Sequence, residues 1–213
     1  MDAMAEVNVE PTAGVWERRK LAAMARIQRV ALDLFEEDGY RGVTVDRIAL
    51  EAGVSPSSVY RYFGTKEMLV LYDEHDLRLL EEMRGAAGGA RVTPAELVAA
   101  ARALAPLLIE ALLTEESELR IRRRMRYVST IPEVADAQNG QMREMEAHFV
   151  ALFAERTGRD GNDLRLRMAA ATAVWCAVAA LDQWAAADFD RPVREVYTEA
   201  ITLVIDAVER LIA

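Results

Sequence analysis

The sequence predicts an all-α protein, with an N-terminal three-helix helix-turn-helix domain followed by a larger helical C-terminal domain. Three observations carry that expectation. Apolar residues recur at spacings of three and four along most of the chain, which places them on one face of successive helices. No stretch shows the period-two alternation of a half-buried strand. Gly, Pro and Ser/Thr residues fall where helices are expected to stop and start.

The elements follow in order. Residues 1–13, "MDAMAEVNVEPTA", lack apolar periodicity and are expected to be a disordered tail. From Trp16 to Asp38, Leu21, Met24, Ile27, Val30, Ala31, Leu34 and Phe35 form one apolar face, and Gly39 follows as the stop. Thr44 offers an N-cap hydroxyl to "VDRIALEA", which ends at Gly53. Ser55 caps a third helix with Pro56 at its first position, where a missing N–H costs nothing. A helix from Lys66 to about Arg84 is expected to link two bodies, so the domains read as 14–65 and 66–213. Beyond "GAAGGA", Thr93, Pro94 and Glu96 open a helix with a capping box, and Pro106 inside it should produce a kink. "EESELRIRRRMRYVS" comes next, then a helix that stops at Gly158, then two long apolar helices, about Asn162 to Asp188 and Arg191 to Ile212.

Composition narrows the function. One cysteine, Cys176, and two histidines, His75 and His148, offer little from which to build a metal or nucleophile site, so neither a cofactor nor enzyme activity is expected. The longest apolar run, "MAAATAVWCAVAALDQW", is short for a membrane span and broken by Asp182, so it reads as a buried helix and no membrane partner is expected. The single cysteine and the lack of a basic-then-apolar leader pattern favour the cytoplasm. The net charge of -9 argues against nucleic acid only until it is divided along the chain. Residues 14–66 carry nine bases against seven acids, whereas 67–213 carry 17 bases against 25 acids. A basic module on an acidic body lets one end meet phosphate while the other avoids it.

The stretch "AGVSPSSVYRYFGTKEML" gathers hydrogen-bonding groups around a tight helix-turn-helix connection. With Val54 and Val59 inward, Pro56, Ser57, Ser58, Arg61 and Tyr62 lie outward around the start of the third helix. Such a face suits the major groove: an arginine reaches guanine edges, and serine and tyrosine hydroxyls bond bases or phosphates. A well-capped helical hairpin with half-buried tyrosines is the structural alternative to that reading.

The continuous run from Arg26 to Leu71 resembles the DNA-binding domain of TetR-family transcriptional regulators. Ile27, Ala31, Leu34, Phe35, Gly39, Tyr40, Thr44, Ile48, Ala49, Ala52, Gly53, Val54, Ser55, Tyr60, Tyr62, Phe63, Lys66 and Leu69 carry the resemblance. By position, it implies phosphate contacts at Thr44, Ser58, Tyr60, Tyr62 and Lys66 and base-reading positions at Val45, Pro56, Ser57 and Arg61. Ser57 departs from the glycine that many members carry there, which bears on how deeply the helix enters the groove. Arg18, Arg19 and Lys20 precede the matching run and read either as an arm toward the DNA backbone or as solubilising surface.

The C-terminal half, including "ERTGRD" and "ALDQWAAAD", is similar to actinobacterial members with a mycofactocin-regulator-like ligand domain. The family resemblance implies that the last two helices pair with those of a second subunit, giving a homodimer and a palindromic operator on double-stranded DNA. It also implies a mostly apolar effector pocket, for which Leu108, Met125, Tyr127, Val128, Met145, Phe149, Trp175 and Trp184 are the candidate lining, although each singly reads as core. The arginines of "RIRRRMR", 120–126, either face a carboxylate- or phosphate-bearing effector such as an acyl-coenzyme A, or pair with acids such as Glu115, Glu116 and Glu118 on a solvated face. The expectation is a one-component repressor released by a small apolar or acyl-type effector. The alternatives are an activator, a low-specificity DNA binder, and a ligand carrier with a vestigial head.

Overall fold

The computed structural model describes residues 13–73 and 91–212. The described residues are helical and form no strand. They divide into two compact units, the first ending at Tyr72 and the second beginning at Asp73.

Unit 1 holds α1 (Ala13–Asp38), a 3-10 turn (Tyr40–Gly42), α2 (Val45–Glu51), α3 (Pro56–Phe63) and α4 (Met68–Leu71). Met24, Ile27, Ala31, Leu34 and Phe35 line the inner face of α1, at the spacing of three and four that the sequence displays. They join Ile48 and Ala49 of α2, Val59 and Phe63 of α3, and Leu69, Val70 and Leu71 of α4 among the buried residues. Arg18, Arg19 and Lys20 lie within α1 and are therefore helical.

Two expectations change here. The helix after α3 starts at Met68, because Gly64 (φ 75°) and the bend that follows it interrupt the chain at Lys66. It ends at Leu71, with Tyr72 extended, and residues 74–84 of the expected linking helix lie outside the described residues. The boundary after residue 65 also moves, since α4 belongs to unit 1. Its Leu69, Val70 and Leu71 are buried, Gln28 Nε2 donates to the Tyr72 carbonyl at 2.6 Å, and the Tyr72 ring stands edge-on to Phe63 at 5.6 Å.

Unit 2 holds α5 (Pro94–Leu112), α6 (Glu115–Thr130), α7 (Pro132–Thr157), α8 (Leu164–Ala186) and α9 (Val193–Ile212). The start of α5 is the capping box read from the sequence: Thr93 Oγ1 accepts from the Glu96 N–H at 3.2 Å, and the Glu96 carboxylate accepts from the Thr93 N–H at 2.7 Å. α5 continues through Pro106 to Leu112. Two apolar cores hold the unit. One joins Val98, Leu152, Phe153, Leu166, Ala169, Ala170, Ile205, Val208 and Ile212; the other joins Ile121, Met125, Leu181, Trp184, Phe189, Val193 and Val196. In the second core, Trp184 is fully enclosed and its Nε1 donates to the Arg191 carbonyl at 2.8 Å, which satisfies the indole's one polar group. Phe189 closes α8: its N–H donates to the Trp184 carbonyl at 2.9 Å and its ring meets the indole edge-on at 4.8 Å.

Candidate nucleic-acid interface

α3 is set by its first residue. Ser55 Oγ accepts from the Ser58 N–H at 3.2 Å and lies 2.9 Å from the hydroxyls of both Ser57 and Ser58, with Pro56 at the first helical position. The turn before it closes through Val54 N–H to the Ala49 carbonyl at 2.9 Å, with Gly53 at φ 65°, a conformation that costs a β-carbon-bearing residue more than glycine. Val59 and Phe63, one turn apart, are buried, so the helix can present only its opposite side. That side carries Pro56, Ser57, Tyr60 and Arg61, all exposed, with Ser58 and Tyr62 half-buried at its borders. Tyr60 is 53% exposed, a large ring left in water where a packing role would have enclosed it. The Arg61 guanidinium lies 5.0 Å from the Tyr62 ring centroid and donates to Tyr62 Oη at 3.3 Å, so the phenol orients the fork.

On α2, Thr44 Oγ1 accepts from the Arg47 N–H at 3.2 Å, which leaves its own O–H to donate outward. Arg47 is tied to Asp38 at 2.7 Å. Val45, expected at a base-reading position, turns its side chain inward. It is only 8% exposed, because the first position of α2 packs its side chain into the core and leaves the cap hydroxyl of Thr44 as the outward group.

Lys66 is half-buried and its ammonium points inward. Nζ donates to the Tyr40 carbonyl, 4.1 Å from the Tyr40 ring centroid and 5.3 Å from that of Phe35. The next residue grips the other end of the same tyrosine: Tyr40 Oη donates to Glu67 Oε1 at 2.9 Å. Partial burial pushes the Glu67 carboxyl up, but its own backbone N–H, the hydroxyls of Thr65 and Tyr40 and the Lys66 ammonium outweigh that and hold it below the ordinary carboxylate range. The Tyr40–Glu67 pairing was missed in the sequence because its two members stand 27 residues apart, with no periodicity to join them.

Among the described residues of unit 2, the eight expected pocket residues line neither of two surface grooves. Met125, Val128 and Trp184 share the second core, Phe149 packs on the first and meets Phe153 edge-on at 5.6 Å, and Trp175 Nε1 donates to Glu146 Oε2 at 2.9 Å. Leu108, Tyr127 and Met145 are half-buried. Two open grooves are lined instead by Arg194, Thr198, Thr202 and Leu203 of α9, among others, and by Val98, Arg102 and Glu209 with the small residues between them. The arginine cluster divides. Arg120 pairs with Glu116 at 3.1 Å and Arg122 with Glu118 at 2.9 Å, whereas the Arg122 and Arg126 guanidiniums also lie 5.2 and 5.9 Å from the Phe189 ring centroid.

An all-helical chain whose N-terminal unit displays a capped, polar-faced helix-turn-helix belongs to the class of DNA-binding regulators. Residues 27–72 match the family model described as bacterial regulatory proteins, tetR family, and residues 95–209 match that of the MftR C-terminal domain. The chain belongs to the TetR family of transcriptional regulators, with a C-terminal domain of the MftR type, and is not an enzyme. It is 28% identical over 172 residues to the Mycobacterium tuberculosis protein named as the mycofactocin biosynthesis transcriptional regulator MftR, covering 78% of this chain and 82% of that protein. It is 42% identical over 101 residues to the transcriptional regulator BetI of Brucella anthropi, covering 46% of this chain and 45% of that one. Among solved structures, the fold is similar to that of NalD, the secondary repressor of the MexAB-OprM multidrug efflux pump in Pseudomonas aeruginosa (18% identity, 89% and 96% coverage, TM-score 0.51). It is also similar to SmeT in its triclosan complex (19% identity, 87% and 91% coverage, TM-score 0.56).

Proposed function

We propose that the chain is a cytoplasmic one-component repressor that binds a palindromic operator as a homodimer through α3 and is released by a small apolar or acyl-type effector held in unit 2. The observation that carries this reading is the division of α3, whose Val59 and Phe63 are sealed in the core while Ser57, Tyr60 and Arg61 face outward. In that role Arg61 meets guanine O6 and N7, Pro56 and Ser57 approach base edges, and Thr44, Ser58, Tyr60 and Tyr62 bond flanking phosphates.

The homodimer is supported by apolar surface that one copy leaves uncovered. α8 is long and apolar enough by composition to cross a membrane, yet only 28% of its most apolar window is buried within the chain. Met168 on α8 and Leu203 on α9 are 47% and 64% exposed. A second copy, related by a two-fold axis, is the simplest cover for two such helices and makes the bound sequence palindromic.

Repression and an apolar effector are adopted because, among proteins of this fold, NalD is a repressor and SmeT is seen with triclosan. Within unit 2, the core around Met125, Val128 and Trp184 supplies an apolar wall, and Arg122 and Arg126 at its edge suit an acidic head group. An effector that favours one arrangement of the dimer shifts the population away from the spacing that fits two successive grooves. To test this, ligands co-purifying with the protein are identified by mass spectrometry and returned to stripped protein on its operator. The expected result is a loss of DNA affinity of about tenfold or more, within the usual range of coupling between two sites. Unchanged DNA affinity with the ligand demonstrably bound would contradict the release mechanism.

A further inference from the structure

Position by position, Lys66 corresponds to a phosphate-contacting residue, but its ammonium is engaged inside unit 1. We propose that Lys66 is a positioning residue for the reading helix and not a phosphate contact: with Tyr40 and Glu67 it forms a clasp that holds the C-terminal end of α3 against the end of α1. The proposal rests on the reading of α3 as the DNA-reading helix.

The geometry of the clasp is two-pronged. Consecutive residues grip opposite ends of one buried tyrosine, Lys66 at the main-chain carbonyl and Glu67 at the phenol. The carbonyl belongs to the 3-10 turn that follows α1, whose Gly42 N–H closes back on the Gly39 carbonyl at 3.1 Å. The rings of Tyr40 and Phe35 stand 4.9 Å apart and the ammonium lies near both ring centroids, which favours a compact cation at that point.

The clasp matters to DNA because of where Lys66 sits in the chain. It follows Phe63, the last residue of α3, by three positions, and between them lies Gly64 at φ 75°. A glycine joint resists rotation poorly, so the end of α3 needs a fixing beyond its own backbone. At the other end the helix is already fixed by the Ser55 cap and the closed turn at Val54. With both ends held, Ser57 and Arg61 meet the groove in one orientation. With the Lys66 end free, they meet it in many, and base contacts lose more than phosphate contacts do. Reaching a phosphate would oblige Lys66 to abandon the Tyr40 carbonyl and both rings, dismantling the fixing at the moment of binding.

Lys66→Met, Lys66→Arg and Tyr40→Phe distinguish the two roles. Each full-length variant is titrated, at a temperature where its circular dichroism shows it fully folded, against the inverted repeat enriched by selection and against a random-sequence duplex over a salt series. The expected result for Lys66→Met is about tenfold weaker binding to the repeat, with the slope of log K against log salt unchanged on both duplexes. Lys66→Arg should lose a similar factor, because a planar guanidinium does not replace a compact ammonium between a carbonyl and two rings. Tyr40→Phe, which keeps the ring and the carbonyl, should lose a smaller factor on the repeat and also keep its slope. The proposal is overturned if Lys66→Met lowers the slope by about 0.9, the value for one phosphate on duplex DNA, and Lys66→Arg restores it. It is equally overturned if the variants melt earlier but bind the repeat as the wild type does. The random duplex needs no operator, so failure to enrich a repeat would count against the reading of α3 and leave the slope comparison to judge the clasp.

Discussion

Leu203→Glu is expected to halve the mass of the particle in solution and to reduce binding to an inverted repeat to that of a single half-site. Leu203 is 64% exposed on α9, beside Thr202 and Thr198 on a groove whose floor is one face of that helix. In a single chain the side chain borders water, so a carboxylate there leaves the cores of unit 2 untouched and helix content should be retained. In a dimer seated on this face the same carboxylate enters the seam beside Glu195 and Glu199, with Arg194 already paired to Glu110 at 2.9 Å, and the cost of desolvating the added charge opposes association. Once the two reading helices are unlinked, the second half-site no longer binds at high effective concentration, and about 10²- to 10⁴-fold of affinity for the repeat goes with it. Sedimentation gives the mass and fluorescence anisotropy the affinity. A folded Leu203→Glu protein that remains two-fold and binds as before would place the dimer interface elsewhere.

Arg61→Ala should cost about 1–3 kcal/mol on the enriched repeat, the range for one bidentate base contact, and relax base preference at one position of each half-site. Its effect on random duplex should be small. The side chain is exposed and rests on Tyr62, Nη2 lying 3.3 Å from the phenol oxygen, so removing it leaves Val59 and Phe63 packed and α3 intact. The discriminating comparison is between duplexes. An equal loss on repeat and random DNA would make Arg61 a phosphate contact and move base reading to Pro56 and Ser57.

The parts of this molecule that depend on short spacings were legible in the sequence. Thr44, Ser55 and Thr93 each stand three residues before the N–H they bond, and each caps the helix expected of it. Gly39, Gly53 and Gly158 sit at positive φ at the stops the pattern marked. Placing Val54 and Val59 inward set Pro56, Ser57 and Arg61 outward as found, but it left out Tyr60, which is 53% exposed, and Ser58 and Tyr62 are half-buried. What the sequence concealed was long-range. The Lys66 ammonium finds its acceptor 26 residues upstream, and a positive charge beside a polar helix reads as surface until that acceptor is seen. The burial of Val45 was likewise hidden, because tertiary packing and not its place in the motif turns its side chain into the core. A pocket lining is hard to read from sequence for a related reason. Methionine and aromatic residues on helices fill cores as readily as they line cavities, and Met125 and Trp184 are buried against their own chain. The apolar length of α8 is likewise ambiguous in sequence, and its meaning emerges only from how little of it one chain covers.

The most direct test is selection of binding sites from random duplex DNA with the purified protein at near-physiological salt, where non-specific phosphate contacts are weaker than at low salt. The expected result is enrichment of an inverted repeat whose half-site centres lie about one helical turn, roughly 34–36 Å, or a multiple of it apart. Folded, dimeric, ligand-free protein that retains DNA without enriching any sequence would contradict the claim that α3 reads bases.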